Sequence, residues 1–143
     1  MLVLLLSLIA IYLRLDIGRS NVSRGEKWAV QIPFSIYLGW ITVATIANTT
    51  QLLYFLDWNG WGISPEIWTV IMLAAGVVIS ALMSFTRADV AYSLVLVWAY
   101  IGIAVMHGET TLVATSALIA AGLILVIMLV VLVRKYRSQP DPT

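Results

Sequence analysis

The chain has 143 residues, 62% of them hydrophobic and 10% charged, with a net charge of +1 and no cysteine. A soluble domain carries roughly 25% charged residues, so this composition argues against one. The near-neutral balance argues against a nucleic-acid binder. Without cysteine there are no disulfides, thiolate metal sites or cysteine nucleophiles.

Residues 1–13, MLVLLLSLIAIYL, are apolar. They fall short of the roughly 20 residues that cross a bilayer, and they lack the basic lead and cleavage site of a signal peptide. They read as the end of a helix whose start is missing, in a fragment or a chain whose start is assigned late. Residues 14–30 read as a polar loop with Arg14, Arg19, Arg24 and Lys27. A second span is expected over 32–56, long enough to tilt or project. Asn59-Gly60 and Gly62 break the helix within the turn 57–66. Ser64 is placed to cap the next helix, with Pro65 and Glu66 in its first turn. The third span is expected over 66–85, the TRAD turn over 86–89, the fourth span over 90–106 and the HGET connector over 107–110. The fifth span is expected over 111–133, and 134–143 as a polar tail, disordered beyond Ser138. The reading is an all-α integral membrane bundle of five spans in a single domain.

All eight Lys and Arg residues fall in the first loop, the TRAD turn or the tail, and none in 57–66 or 107–110. The positive-inside rule makes the basic side cytoplasmic, so the N-terminus faces out and the C-terminus in. The sequons at Asn21 and Asn48 are then expected to be empty, one cytoplasmic and one in the membrane. Two seams of small residues, Gly76, Ser80 and Ser84 in the third span and Ala114, Ala117, Ala121 and Gly122 in the fifth, suit close helix packing in lipid.

The second span carries unusual polarity. At about 100° per residue, Pro33, Tyr37, Trp40, Ala44, Asn48 and Gln51 share one side, and Ser35, Thr42 and Thr49 form a second polar line. In lipid such groups face protein, water or a ligand. Trp40 and Trp98 each lie about 13 Å into a span running from inside to outside, accompanied by Tyr37 and Tyr100. Either the two helices pack and the rings find polar partners, or these aromatics wall a pocket for a flat apolar ligand. Asn48 and Gln51 suit interhelical hydrogen bonds or a ligand head group.

Trp28, Trp58, Trp61, Trp68 and Tyr136 fit an aromatic belt, and Trp61 is placed to close a pocket instead. Arg87 and Asp89 flank the shortest inner turn, to pair with each other or with head groups or to stand in solvent. His107, the only histidine, is a solvated loop residue or a haem or pH-sensing ligand. With no second histidine, no metal cluster is expected. No acidic pair lies within a span and no nucleophile–histidine spacing is present, so no enzyme activity is expected.

Pro33-Phe34-x-x-Tyr37-x-x-Trp40, followed by Ala44-Thr45-x-x-Asn48, resembles the last helix of the translocator protein / tryptophan-rich sensory protein (TspO/MBR) family. The wider stretch resembles bacterial proteins described as tryptophan-rich sensory protein-like, which implies the bacterial cell (inner) membrane. The resemblance implies a bundle that binds tetrapyrroles, sterols and aromatic drugs, with pocket-wall roles for Tyr37 and Trp40 and a structural role for Asn48. No basic residue follows the motif, as the family's sterol-recognition pattern requires; Leu8, Tyr12 and Arg14 fit a looser cholesterol pattern. The motif helix is second here and last in the family. This implies that the family's first three helices are missing and that three helices lie outside its core.

The expected function is non-enzymatic binding, sensing or translocation of an apolar aromatic ligand, a porphyrin or haem among the candidates, through Tyr37, Trp40, Asn48, Trp98 and Tyr100. The alternatives are a structural subunit of a homo-oligomer or larger membrane complex without a ligand, and a small transporter with a path along Ser35, Thr42, Thr49 and Asn48. The lipid bilayer is the partner common to all three.

Overall fold

The structure is a computed structural model that describes residues 1–20 and 22–138. Asn21 of the first sequon and the tail expected to be disordered beyond Ser138 lie outside the described residues. Among the described residues every regular element is helical. The five main helices are α1 (Leu2–Arg14), α2 (Ile32–Phe55), α3 (Pro65–Arg87), α4 (Val90–Met106) and α5 (Thr111–Arg137). The continuous helical stretches Arg24–Phe55, Pro65–Arg87 and Thr111–Arg137 are long and apolar enough to cross a membrane, whereas α1 and α4 are shorter apolar helices. At about 1.5 Å per residue, α1 extends for about 20 Å and α4 for about 26 Å.

The second helical stretch starts well before the expected Ile32. Ser23 caps a short turn, Arg24–Glu26, by accepting from the Glu26 N–H at 3.2 Å. Ser-x-x-Glu is the capping-box pattern, and it starts a helix where a loop was expected. The turn leads into a π-helical stretch, Lys27–Gln31, in which the Ile32 N–H reaches the Lys27 carbonyl five residues back. This widened turn comes directly before Pro33, which has no N–H and whose ring crowds the carbonyl four residues back in an α-helix. At the other end of the chain, α5 runs on through Arg137, so the first residues of the expected tail are helical.

The α3 start follows the sequence signals: Ser64 Oγ accepts from the Ile67 N–H, and Pro65 opens the helix. Its end is set by Ala88, which turns left-handed at φ 49° and donates its N–H to the Ser84 carbonyl. The turn between α2 and α3 uses positive φ at Gly60 and Gly62. Here Trp68 Nε1 donates to the Gly60 carbonyl at 2.9 Å, and Trp58, Trp61 and Trp68 stack with centroids 5.2–5.9 Å apart.

Helix α4 is central. It packs on α2, α3 and α5, while α5 also packs on α3, and α1 lies along α2. The core runs from Leu8 and Tyr12 through Leu38 and Ile41 to Leu96 and Tyr100, and on to Ala117, Ala121 and Ile124. Close approach depends on small residues: Gly39 lies against Val95 and the Tyr92 carbonyl, and Gly76 lies under the Tyr100 hydroxyl. Ser80 and Ser84 of α3 meet Ser93 of α4 at 3.4 and 3.1 Å. The buried seam of α5 is Val113, Ala117, Ala120, Ala121, Ile124 and Met128. It is rotated from the expected one, leaving Ala114 half-buried and Gly122 exposed.

The three basic segments meet at one end of the bundle. Arg19 Nε donates to the Thr86 carbonyl at 3.0 Å, and Arg87 Nη1 pairs with Asp16 at 2.7 Å. Lys135, near the end of α5, borders the same groove as Arg19 and Arg87.

Candidate functional site

Gly39 sets the site. Without a side chain it lets α4 approach so closely that an added Cβ would lie 3.1 Å from the Val95 side chain. Beside that crossing stand Trp40 and Trp98, with ring centroids 5.6 Å apart and planes inclined by 44°. Trp40 is 47% exposed and Trp98 64%, so the pair stands on a surface rather than in the core.

The surface is one wall of a groove of about 1000 Å³ between α2 and α4, open along one side. Ligand sites usually span roughly 300–1,000 Å³, so this one lies at the upper end. Trp28, Ile36 and Trp40 contribute from the α2 side, and Leu94, Val95 and Trp98 from α4. Arg19, Lys27, Arg87 and Lys135 surround its basic end.

Asp89 lies at the floor of that end and overturns the expectation of a solvated turn. It is 8% exposed. Its Oδ2 accepts from the Tyr12 hydroxyl at 2.6 Å and from Ser35 Oγ at 2.5 Å, while Oδ1 accepts from the Tyr92 N–H at 3.1 Å. One carboxyl group thus caps α4 and holds α1 and α2 against it. Arg87 turns instead to Asp16, with its guanidinium 5.6 Å over the Tyr12 ring.

The two tryptophans come together as the sequence suggested; the other candidates lie elsewhere. Tyr100 is buried on the opposite face of α4 and donates its hydroxyl to the Leu73 carbonyl at 2.9 Å. Two positions along a helix are about 200° apart, so Trp98 and Tyr100 cannot share a wall. Tyr37 is exposed beside the groove without lining it. Asn48 is exposed roughly 12 Å further up α2 and donates to the Ala44 carbonyl of its own helix. Of the second polar line, Ser35 serves Asp89, Thr42 accepts from the Tyr92 hydroxyl at 3.3 Å, and Thr49 bonds back to Thr45. Leu8 and Tyr12, part of the loose cholesterol pattern, are turned into the bundle. His107 is exposed with Nδ1 3.1 Å from the Ile103 carbonyl, and Trp61 packs on its neighbouring tryptophans, away from the groove.

Sequence reasoning missed Trp28 as a wall residue and the Tyr12–Asp89–Ser35 group. An Asp just before an apolar helix is a cap signal that was available. The long-range hydroxyl partners of that Asp had no local signature.

These features define an all-helical integral membrane protein with an aromatic-walled groove on its flank. The chain belongs to the TSPO-like protein family, whose model matches residues 1–130. The match takes in α1 to α4 and most of α5, including the three helices after the motif that were expected outside the family core. At family level this is a membrane sensing or binding protein. No curated protein and no solved structure matches the chain.

Proposed function

We propose that this protein binds a flat apolar ligand of the tetrapyrrole type in the groove between α2 and α4, for sensing or translocation and without catalysis. The observation that carries the reading is the Trp40–Trp98 pair on the wall of a ligand-sized groove. Two indoles half-exposed at a helix crossing offer a π-surface to a planar ring system. Trp40, Trp98 and Trp28 are the proposed contacts; Tyr37 supports the rim, and Asn48 and Tyr100 act in the helices rather than at the ligand. The proposed setting is a single membrane domain of five spans in a bacterial inner membrane, with the basic end cytoplasmic.

The test is a porphyrin titration of purified protein in detergent, followed by tryptophan quenching. Saturable quenching is expected, with affinity falling at least about ten-fold in the Trp40→Ala, Trp98→Ala double variant, as for aromatic anchors elsewhere. The variant's helicity should be unchanged, since both rings stand outside the core. Identical quenching in the variant, or none that saturates in the parent, sinks the site and favours the ligand-free structural subunit.

A further inference from the structure

The basic end of the groove carries more positive charge than the fold uses. Among the described residues the ion pair is Arg87 with Asp16. Asp89, the other acidic group at the groove, has both oxygens taken up by the Tyr12 and Ser35 hydroxyls and the Tyr92 N–H. Arg19 is held at the mouth by its Nε on the Thr86 carbonyl. Lys27 and Lys135 are exposed at the same mouth and make no ion pair among the described residues. Three cations from three separate segments therefore converge on one opening, with Asp16 and Asp89 already engaged.

Beyond that mouth the walls are apolar. From Asp89 to Trp98 the groove follows α4 for nine residues, about 13 Å. One leaflet of a bilayer has a hydrocarbon depth of about 15 Å, half of the roughly 30 Å core. A cationic mouth at the membrane surface, an apolar channel one leaflet deep and an aromatic stop at its inner end match one kind of molecule. We infer that the groove is a site for an anionic glycerophospholipid, its phosphate held by Lys27, Lys135 and Arg19 and an acyl chain laid along the groove to Trp40 and Trp98. Basic pockets between spanning helices hold acidic lipid head groups in this way. The inference goes beyond aromatic-ligand binding: the lipid is the resident that such a ligand displaces.

The experiment is a titration of the purified full chain in neutral detergent with phosphatidylglycerol or phosphatidylcholine carrying brominated acyl chains, read by tryptophan quenching. Phosphatidylglycerol is expected to quench saturably and at least about ten-fold more tightly, at about five-fold for each basic residue near the head group. In Lys27→Gln, Lys135→Gln the preference should fall to about five-fold or less, what Arg19 alone supplies, and in Lys27→Arg, Lys135→Arg it should return. Free glycerol phosphate should not compete, because the acyl chain anchors the lipid. Equal quenching by the two lipids, or a preference undiminished in the glutamine variant, overturns the inference. Competition by glycerol phosphate also overturns it, in favour of a soluble anion. Porphyrin binding is measured on the same variants. Its loss in the tryptophan variant alone, and lipid selectivity's loss in the lysine variant alone, separate the two readings.

Discussion

Asp89 is the residue on which the basic end depends. Three donors from three helices reach one carboxyl group, and the residue also caps α4. Each net hydrogen bond is worth about 1 kcal/mol and a cap about as much. Asp89→Ala should therefore destabilise the protein by about 3 kcal/mol in detergent unfolding, whereas Ser35→Ala and Tyr12→Phe should each cost about 1 kcal/mol. An exposed turn residue changes stability by less than about 0.5 kcal/mol. An Asp89→Ala effect that small would mean that the hydroxyls do not hold this group. The residue also shows what a sequence hides. Its position before an apolar helix announces a cap, but Tyr12 lies 77 residues away, and no periodicity links the two.

Among the elements, the α3–α4 contact turns on Gly76. A methyl group there would meet the Tyr100 hydroxyl, which is fixed by its bond to the Leu73 carbonyl. Overpacking of this kind costs about 1–3 kcal/mol, so Gly76→Ala should lower stability by about 2 kcal/mol. In a Tyr100→Phe background the oxygen is gone and only the ring carbon 3.1 Å from the added methyl must give way, so the same change should cost about 1 kcal/mol or less. A double-mutant cycle measures the coupling, and equal costs in both backgrounds would refute the contact. This seam was legible, because small residues four apart on an apolar helix announce close packing; so were the ends of α3 and α4, set by Ser64, Pro65 and the 107–110 turn. The start of the second helical stretch was placed too late. Residues 14–30 read as a loop although Ser23-x-x-Glu26 carries the capping-box pattern, and the π-helical stretch before Pro33 follows from backbone geometry rather than residue type. The groove was legible only as two tryptophans at equal depth. Which face of α2 meets α4 is decided by Gly39 and Ser35, so Tyr37 and Asn48, chosen from the other polar line, came out on exposed positions.

For the whole molecule, the distribution of charge ties the proposed topology to the groove. All eight basic residues belong to the first loop, the 86–89 turn and the end of α5, and contacts from each of these segments bring them to one end of the bundle. The helix ends at 57–66 and 107–110 carry no basic residue. Under the positive-inside rule the first end is cytoplasmic, and the groove then opens to the cytoplasmic leaflet, where anionic lipids attract basic clusters. The chain has no native cysteine, so single reporters are clean. Glu109→Cys should react with a membrane-impermeant maleimide added to intact cells, and Ser138→Cys should react only after the membrane is opened. The opposite pattern would invert the topology and send any ligand to the groove from outside. Labelling of both sites in intact cells would break the five-span arrangement, since one crossing, α5, separates 109 from 138. That helix, 27 residues long, is the most apolar of the three spanning candidates, so one reporter at each of its ends reads the crossing directly.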